Sequence, residues 1–454
     1  MVSANRTIYY FITAALLIVL PMSAAADEAL SFDPNLSQET EAVASTPQDQ
    51  PADKTITKVS IIGGHNVKRS IVLSRLGIEP GDPFDPDIAE EGLERVIALS
   101  GVKSAFIRIL PDRQGGGIKL VIIISDGDTR IVRPALSRAL TNDWSFGVYF
   151  EDTNLRGMNE DLRVKLLLGG ALIAQASFLK PWFVEQLYVG AGLSVSYTDY
   201  DYPYPDYGRL LVDKRIRRFE AGAEIRINLT DYLHLSLRPG ADVIDVADSM
   251  TYDETVPPTP SGTFTTFEAA LSVDFLDSDF YPTHGFMIAG GRKDWGIIQE
   301  KSEIKNFRYW AWGSGYYKLW KVIGVLHSRA EFTKGGNVPL LLLSHIGGEG
   351  TLRGYDFGML SGTNSILVNS ELRLPLNFTT LDDPNNPTVL ADFHVFLDSG
   401  ACWNSPQTFD QGLFHSGFGC GANFILVKKG MLTVDYAWRM QTNGVWSLNA
   451  GFFF

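Results

Sequence analysis

Hydrophobic and polar residues alternate along the chain from about residue 140 onward. Successive side chains of a β-strand point to opposite faces, so each alternating segment predicts a strand with one apolar and one polar face. In the last segment, Trp446 and Leu448 share the apolar parity with Phe452 and Phe454. We count fifteen such segments, near 144–152, 160–169, 172–180, 186–199, 216–228, 232–246, 263–276, 285–294, 305–319, 323–333, 364–374, 391–402, 414–427, 430–439 and 445–454.

The connectors between these segments alternate in length. Short connectors lie at 181–185, 229–231, 278–284 and 320–322, and long ones at 200–215, 247–262 and 334–363; the connector 375–390 is long where a short one is expected. Outer-membrane barrels have short turns at one end and long loops at the other, whereas a soluble sandwich needs no such order. Because only a closed barrel satisfies strand backbones in lipid, the pattern predicts a transmembrane β-barrel.

Aromatic residues near the segment ends fit the aromatic girdles that flank the apolar band of such barrels. The candidates are Tyr197, Tyr200, Trp310, Trp312, Tyr316, Tyr317 and Trp403.

Single-chain bacterial barrels normally have an even number of strands, so fifteen segments predict a sixteenth. The candidate is 129–138, a poor strand because its Pro134 cannot donate a ladder hydrogen bond and is tolerated mainly at edges. If this strand pairs with 445–454, the closing seam is the weakest junction of the barrel. Its candidate residues are Pro134, Trp446, Phe452 and Phe454.

A different pattern occupies residues 54–128. Strands are predicted at 56–62, 104–110 and 117–125, and helical spacing of apolar residues lies between the first two, at 67–76 and 88–99. The order β-α-α-β-β predicts a three-stranded sheet with an open edge, which can accept an extended peptide as an added strand. The alternative is a rigid spacer whose edge is covered.

The first 53 residues precede both patterns. Residues 1–26 have a basic residue, an apolar stretch and a small-residue run, which is the layout of a signal peptide cleaved after Ala26; an uncleaved anchor helix is the alternative. Residues 27–53 carry seven acidic residues and no basic one, which favours a solvated, flexible linker over an acidic docking tail.

Composition narrows the function. The formal charge of −13 argues against nucleic acid, which proteins hold chiefly with Lys and Arg. Past residue 26 no apolar run is long enough for a membrane-spanning helix. Parity places Cys402 on the inner face and Cys420 on the outer one, so two free thiols are expected. The sequence contains no Gly-x-Ser-x-Gly element, metal constellation or nucleotide loop, so we expect neither an enzyme nor a cofactor.

Several motifs in order resemble the BamA/TamA-like outer-membrane assembly and translocation barrels. The long connector contains Gly347-Gly348-Glu349-Gly350-Thr351-Leu352-Arg353-Gly354-Tyr355, similar to the family's inward-folded loop with its Arg-Gly-aromatic tip. Residues 152–157, 180–183, 277–285, 369–375 and 396–400 resemble other family segments, and 54–128 resembles a POTRA domain. The resemblance implies a mostly β chain, namely a 16-stranded antiparallel transmembrane barrel (129–454) preceded by one POTRA domain.

The resemblance also implies a lock on the lumen loop. In the family the loop arginine is held by acids on two strands, and parity directs Glu371 and Asp398 inward, so we carry that role to Arg353, Glu371 and Asp398, with Gly354 and Tyr355 at the tip. Gly347, Gly348 and Gly350 are the expected loop glycines. The alternative is an ordinary external loop with a solvated arginine.

The expected function is insertion or translocation of proteins at the bacterial outer membrane, with the POTRA domain receiving unfolded polypeptide in the periplasm. Outer-membrane lipid and the polypeptide at the POTRA strand edge are expected partners, and accessory periplasmic proteins are candidate ones. A single POTRA domain favours an accessory or dedicated transporter over the general assembly role, and the sequence leaves insertion and secretion open. The alternative is a passive diffusion porin.

Overall fold

A computed structural model describes residues 54–451 except 113–115, 139–143, 185–187, 207–208, 231, 248–259, 279–280, 297, 349, 357, 377–388, 405–409, 411–412, 427–429 and 440–444. The described chain divides into two compact units. Unit 1 runs through Thr129 and includes Thr153–Glu160, and unit 2 comprises Arg130–Asp152 and the chain from Asp161 onward.

Unit 1 contains a three-stranded sheet and two helices. Its elements are β1 (Ile56–Gly63), α1 (Arg69–Leu76), α2 (Pro86–Ile97), β2 (Val102–Pro111) and β3 (Ile118–Asp126). The sheet order is β1-β3-β2, with β1 parallel and β2 antiparallel to the central β3. The β-α-α-β-β order predicted from the sequence is therefore confirmed.

Local sequence explains the end of α1 and the start of α2. Gly77 ends α1 in the left-handed conformation, at φ 66°, which costs glycine little. The Asp85 side chain caps α2 by accepting a hydrogen bond of 2.9 Å from the N–H of Asp87, and Pro86 occupies the first turn. Leu76, Leu120 and Ile122 are fully buried and form the core between the helices and the sheet.

The turn 153–160 belongs to unit 1 through specific hydrogen bonds. Asn154 Nδ2 donates to the Asn66 carbonyl at 2.6 Å, and Asn159 Oδ1 accepts from the N–H of Ser100 at 2.7 Å. Gly157, at φ 71°, accepts at its carbonyl from the N–H of Lys68 at 2.9 Å. These bonds satisfy backbone groups of Asn66, Lys68 and Ser100 that would otherwise need water.

Unit 2 is built on a 16-stranded sheet in which each described neighbouring pair is antiparallel. Its strands are β4 (Arg130–Arg138), β5 (Trp144–Leu155), β6 (Glu160–Gly169), β7 (Ala171–Val184), β8 (Val189–Asp206), β9 (Arg209–Asn228), β10 (Leu233–Ala247), β11 (Gly262–Asp274), β12 (His284–Trp295), β13 (Asn306–Leu319), β14 (Val322–Gly335), β17 (Asn364–Pro375), β18 (Val389–Trp403), β19 (His415–Leu426), β20 (Gly430–Arg439) and β21 (Val445–Gly451). The short strands β15 (Ser344–Ile346) and β16 (Leu360–Gly362) pair separately between β14 and β17. No helix among the residues described is long and apolar enough to cross a membrane.

The weak segment predicted as the first strand is a strand. It forms β4, which pairs with β5 and places Pro134 opposite Val148. The sheet begins at β4 and ends at β21, and within the described residues these two edges form no ladder with each other, although their Cα atoms approach within 8 Å. Edge position explains why Pro134 is tolerated.

The prediction that residues 200–215 form a long connector is wrong. β8 and β9 continue as a paired ribbon to Asp206 and Arg209, beyond the last residues that pair with β7 and β10. A two-stranded ribbon has free outer edges, so the prolines at 203 and 205 remove no donor that a neighbouring strand requires.

Part of the aromatic-girdle prediction is also wrong. Trp310 lines a cavity with Arg308 and Glu331, and Tyr316 packs on a buried cluster containing Tyr281. Because Trp312 shares the parity of Trp310, this side of β13 faces inward. Tyr200 likewise packs inward against a buried cluster containing Leu340. By contrast, Tyr317 is exposed on the outer face.

Candidate functional site on the inner face of the sheet

The face of the unit 2 sheet that carries Glu371 and Asp398, its inner face, holds residues 336–363, which we call the inner loop. The loop passes through a 3₁₀ turn at Leu340–Leu342 and then through β15, and it returns through β16. Its tip, residues 347–359, lies between these two short strands.

Glycines shape the tip. Gly347, Gly348 and Gly350 have φ values of 131°, 85° and 72°, a region that other residues rarely adopt. A Cβ on Gly347 would lie 2.3 Å from the carbonyl oxygen of Asp356, so the loop closes on itself here only because glycine has no side chain.

Arg353 is held by three carboxylates. Its Nε and Nη2 donate to the two oxygens of Asp398 at 2.7 and 2.8 Å, which is the bidentate geometry that guanidinium favours. Its Nη1 lies 2.9 Å from Glu371 Oε1 and 3.2 Å from Asp435 Oδ2. The backbone N–H of Arg353 also donates to Asp398, at 3.1 Å. The structure therefore brings Arg353, Glu371 and Asp398 together.

The surroundings of this cluster exclude water. Arg353 is 9% exposed and Asp398 is fully buried. The guanidinium carbon lies 3.5 Å from the centre of the Phe396 ring, within the range of a cation–π contact. Buried charges are stable only when they are paired, and in this cluster each charge has a partner.

Strand alternation positions the acids. Asp398 on β18 lies between Leu397, which is 53% exposed, and Ser399, and Glu371 on β17 precedes Leu372, which is 56% exposed. Outward apolar neighbours thus direct both carboxylates to the inner face. Asp435 on β20 obeys the same rule, and the sequence analysis missed it as a ligand of Arg353 although its polar parity was visible.

Further side chains contact the acids around Arg353. Arg373 Nη2 lies 2.8 Å from Glu371, and His394 Nε2 lies 2.8 Å from Asp435. His394 also lies 3.5 Å from Asp392, which accepts hydrogen bonds from Tyr281 Oη at 2.9 Å and from Asn423 Nδ2 at 2.8 Å. The network spans strands from β17 to β20 and reaches the turn before β12.

Gly354 and Tyr355 complete the tip. Gly354 has φ 88° and lies against the backbone of Trp438, where a Cβ would be 3.2 Å from the carbonyl carbon. Tyr355 Oη donates to the Ser416 carbonyl at 3.2 Å. Gly417 is equally constrained, because a Cβ there would lie 1.9 Å from the carbonyl oxygen of Arg353.

The first part of the inner loop has a separate attachment that the sequence analysis missed. Arg308 Nη2 donates to the Leu342 carbonyl, and Ser344 Oγ donates to Glu331, each at 2.5 Å. Leu342 also packs in a buried apolar cluster, and Leu340 packs in another. These contacts could not be predicted from the sequence, because no periodicity of the sequence links residues 340–344 with β13 and β14.

The opposite part of the inner face leaves space. A cavity of about 540 Å³ lies along β5–β12, and its wall carries both signs of charge, including Arg163, Glu224, Arg238, Glu268 and Lys293. Glu224 lies 3.3 Å from Arg238, which also approaches Glu268 at 3.5 Å. A wall of paired charges is suited to hydrated, polar occupants. No group of three or more potential metal ligands occurs in the described part of the chain.

The structure describes only two of the four predicted seam residues. Pro134 on β4 is exposed, and Trp446 pairs through its backbone with Tyr436. Phe452 and Phe454 lie outside the described residues.

A family model described as the Omp85 superfamily domain matches residues 154–454. No curated protein matches the chain. The structure is similar to BamA from Haemophilus ducreyi lacking POTRA domains 1-3, with a TM-score of 0.62 and 15% identity over 87% of this chain and 83% of that one. It is also similar to CdiB from Escherichia coli (TM-score 0.57, 14% identity, 88% and 75% coverage) and to CdiB from Acinetobacter baumannii (0.54, 14%, 86% and 70%).

Proposed function

The chain belongs to the Omp85 superfamily, and from that premise we propose that it inserts or translocates polypeptides at the bacterial outer membrane. The observation that carries the proposal is the buried contact of Arg353 with Asp398, Glu371 and Asp435. A passive pore needs no loop fixed inside it by buried charges, because such charges are costly to remove from water.

The lock gives the inner loop a defined position beside open space. Arg353 fixes the tip against β17, β18 and β20, while the cavity of about 540 Å³ lies along β5–β12. An extended polypeptide exposes backbone donors and acceptors, which the mixed charges of that wall can satisfy. The inner face thus combines a fixed loop with a polar cavity in which an extended polypeptide can lie.

The POTRA domain receives the substrate in this proposal. β2 is an edge strand of the unit 1 sheet, and an edge strand offers unpaired N–H and C=O groups to an extended peptide. The domain lies in the periplasm, and the signal peptide of residues 1–26 directs export. Neither a cofactor nor an enzymatic step is part of the mechanism.

Lateral release at the β4–β21 edges is the second part of the mechanism. These edges lie close together without a ladder in the described residues, and Pro134 removes one donor from β4. Cysteines placed at 132 on β4 and, one at a time, at 445–451 on β21 test it, in a chain with Cys402→Ser and Cys420→Ser. A disulfide across these edges should abolish activity, whereas one between Phe418→Cys and Trp438→Cys, which pair inside the sheet, should not. Full activity with the edges linked would exclude lateral release.

Proteome comparison tests the proposed function. Deletion of the gene should reduce a small set of proteins in the outer membrane or the secreted fraction, and the full-length gene should restore them. A loss of solute conductance with no protein lost from either fraction would instead identify a diffusion porin.

A further inference from the structure

The sheet of unit 1 has one face without helices. Strand register places Ile62, Ile123 and Phe106 in one row across β1, β3 and β2 on this face. Ile62 is 42% and Phe106 45% exposed, and Leu110, on the same face of β2, is 40% exposed. Ile123, at the centre of the row, is half-buried, and an apolar row exposed at both ends is characteristic of an interaction surface.

Basic side chains share this face. Lys58 on β1 and Arg108 on β2 are exposed, and among the described residues neither has an ion-pair partner. Lys119 on β3 lies 3.3 Å from Asp112. The face therefore suits a ligand that is both acidic and apolar, and β2 is an edge strand of this sheet among the described residues.

One segment of this chain has that chemistry. Residues 27–53 carry seven acidic residues and no basic one. Leu30 and Phe32, two positions apart, are flanked by Glu28 and Asp33. In an extended segment the side chains of Leu30 and Phe32 point to the same side, so both can contact the apolar row at once.

The segment is also long enough to reach β2. Residues 37–53 number 17, and they span up to about 56 Å when extended. The start of β1 and a strand added outside β2 are separated by roughly 15 Å, the width of three strand spacings. The connection therefore closes without strain.

We propose that residues 27–36 dock in cis along β2, with Leu30 and Phe32 beside Phe106 and Leu110 and the acids near Arg108. This proposal rests on the proposed function in one respect, because the docked segment then occupies the edge that receives substrate. It acts as an internal competitor that substrate must displace. The docking itself does not depend on what the barrel transports.

Site-specific photo-crosslinking tests the docking in the full-length mature protein, reconstituted in phospholipid nanodiscs. p-Benzoylphenylalanine replaces Phe106 in one variant and Leu110 in a second, so that misfolding of one does not decide the result. The matched control carries it at Ile88, which is 49% exposed on α2, an element of the helical side. Peptides are identified by mass spectrometry after irradiation.

We expect crosslinks from positions 106 and 110 to residues 27–36 of the same chain, and none to that segment from position 88. Replacing Asp27, Glu28 and Asp33 with the corresponding amides should reduce the crosslink yield by roughly threefold to tenfold, the range for a few exposed ion pairs. Crosslinks from 106 and 110 only to lipid, only to a second copy, or to no partner would overturn the docking. A proteome unchanged by gene deletion would contradict the proposed function and leave this result standing.

Discussion

At the scale of single residues, the contacts of Arg353 were predicted from the family resemblance together with strand parity. Alternation on β17 and β18 directed Glu371 and Asp398 inward, and both lie within 2.9 Å of the guanidinium. The same rule, applied to β20, would have added Asp435. It could not reveal Arg308 or Glu331 as loop contacts, because that pairing depends on the path of a loop without periodicity.

Asp398→Asn should release the tip of the inner loop. The substitution keeps the shape but leaves a buried guanidinium short of one carboxylate, at a cost of about 3 kcal/mol. Trypsin cleaves after arginine, so a fragment ending at Arg353 should form much faster in the variant than in the wild type. Asp356→Asn, an exposed change within the same tip, is the control. Equal protection of Arg353 in both variants would contradict the lock.

Asp126 predicts a pH dependence in unit 1. Burial raises the pKa of this carboxyl, but hydrogen bonds from the N–H of Asn66 and from His65 outweigh burial, so its pKa lies below the ordinary value of 3.8. The carboxylate therefore stabilises the fold above pH 3.8, and this contribution is lost as the pH falls through the lower folded pKa.

Asp126→Asn should destabilise unit 1 by about 1 kcal/mol near pH 7. Hydrogen exchange at residues 64–67 of the full-length protein measures the difference from the wild type at each pH. The difference should shrink toward zero in strongly acidic solution. Asp128→Asn, at an exposed position, should show little difference at any pH, and a pH-independent effect of Asp126→Asn would contradict the assignment.

At the scale of elements, periodicity predicted which strands exist better than it predicted which way their side chains face. Each of the sixteen predicted strands of unit 2 occurs, including the proline-containing β4, but β8 and β9 continue beyond their predicted segments to Asp206 and Arg209. The aromatic-girdle error arises because both parities of β13 carry aromatic residues. β13 has Trp310, Trp312 and Tyr316 on one parity and Tyr309 and Tyr317 on the other, so aromatic content alone could not tell its inner from its outer side.

The inner loop should respond to mutation in two independent parts. Arg353→Ala should increase hydrogen exchange in residues 350–360 and leave residues 338–346 protected, because Arg308, Glu331 and the apolar clusters still hold them. Glu331→Gln combined with Leu342→Ser should expose 338–346 instead. Glu303→Gln, an exposed change in the connector before β13, serves as the control. Simultaneous release of both parts by Arg353→Ala would contradict this division.

At the scale of the whole molecule, the strands of unit 2 divide their hydrophobic and polar residues between the two faces of one sheet. Phe393, Val395 and Leu397 on β18 are each more than 40% exposed, while Asp392, His394 and Asp398 on the same strand are buried. The usual order of a soluble domain is reversed in this strand. That reversal was predictable from alternation, whereas the substrate is not, because no residue pattern of the chain encodes its sequence.

We propose that the arginine lock serves protein insertion or translocation. Quantitative proteomics of the outer-membrane and secreted fractions tests it most directly, in a deletion strain carrying either the wild-type gene or Arg353→Ala. We expect the Arg353→Ala protein to reach the outer membrane at a normal level and the strain that carries it to lose the same proteins as the deletion strain. Full restoration of those proteins by Arg353→Ala would contradict it.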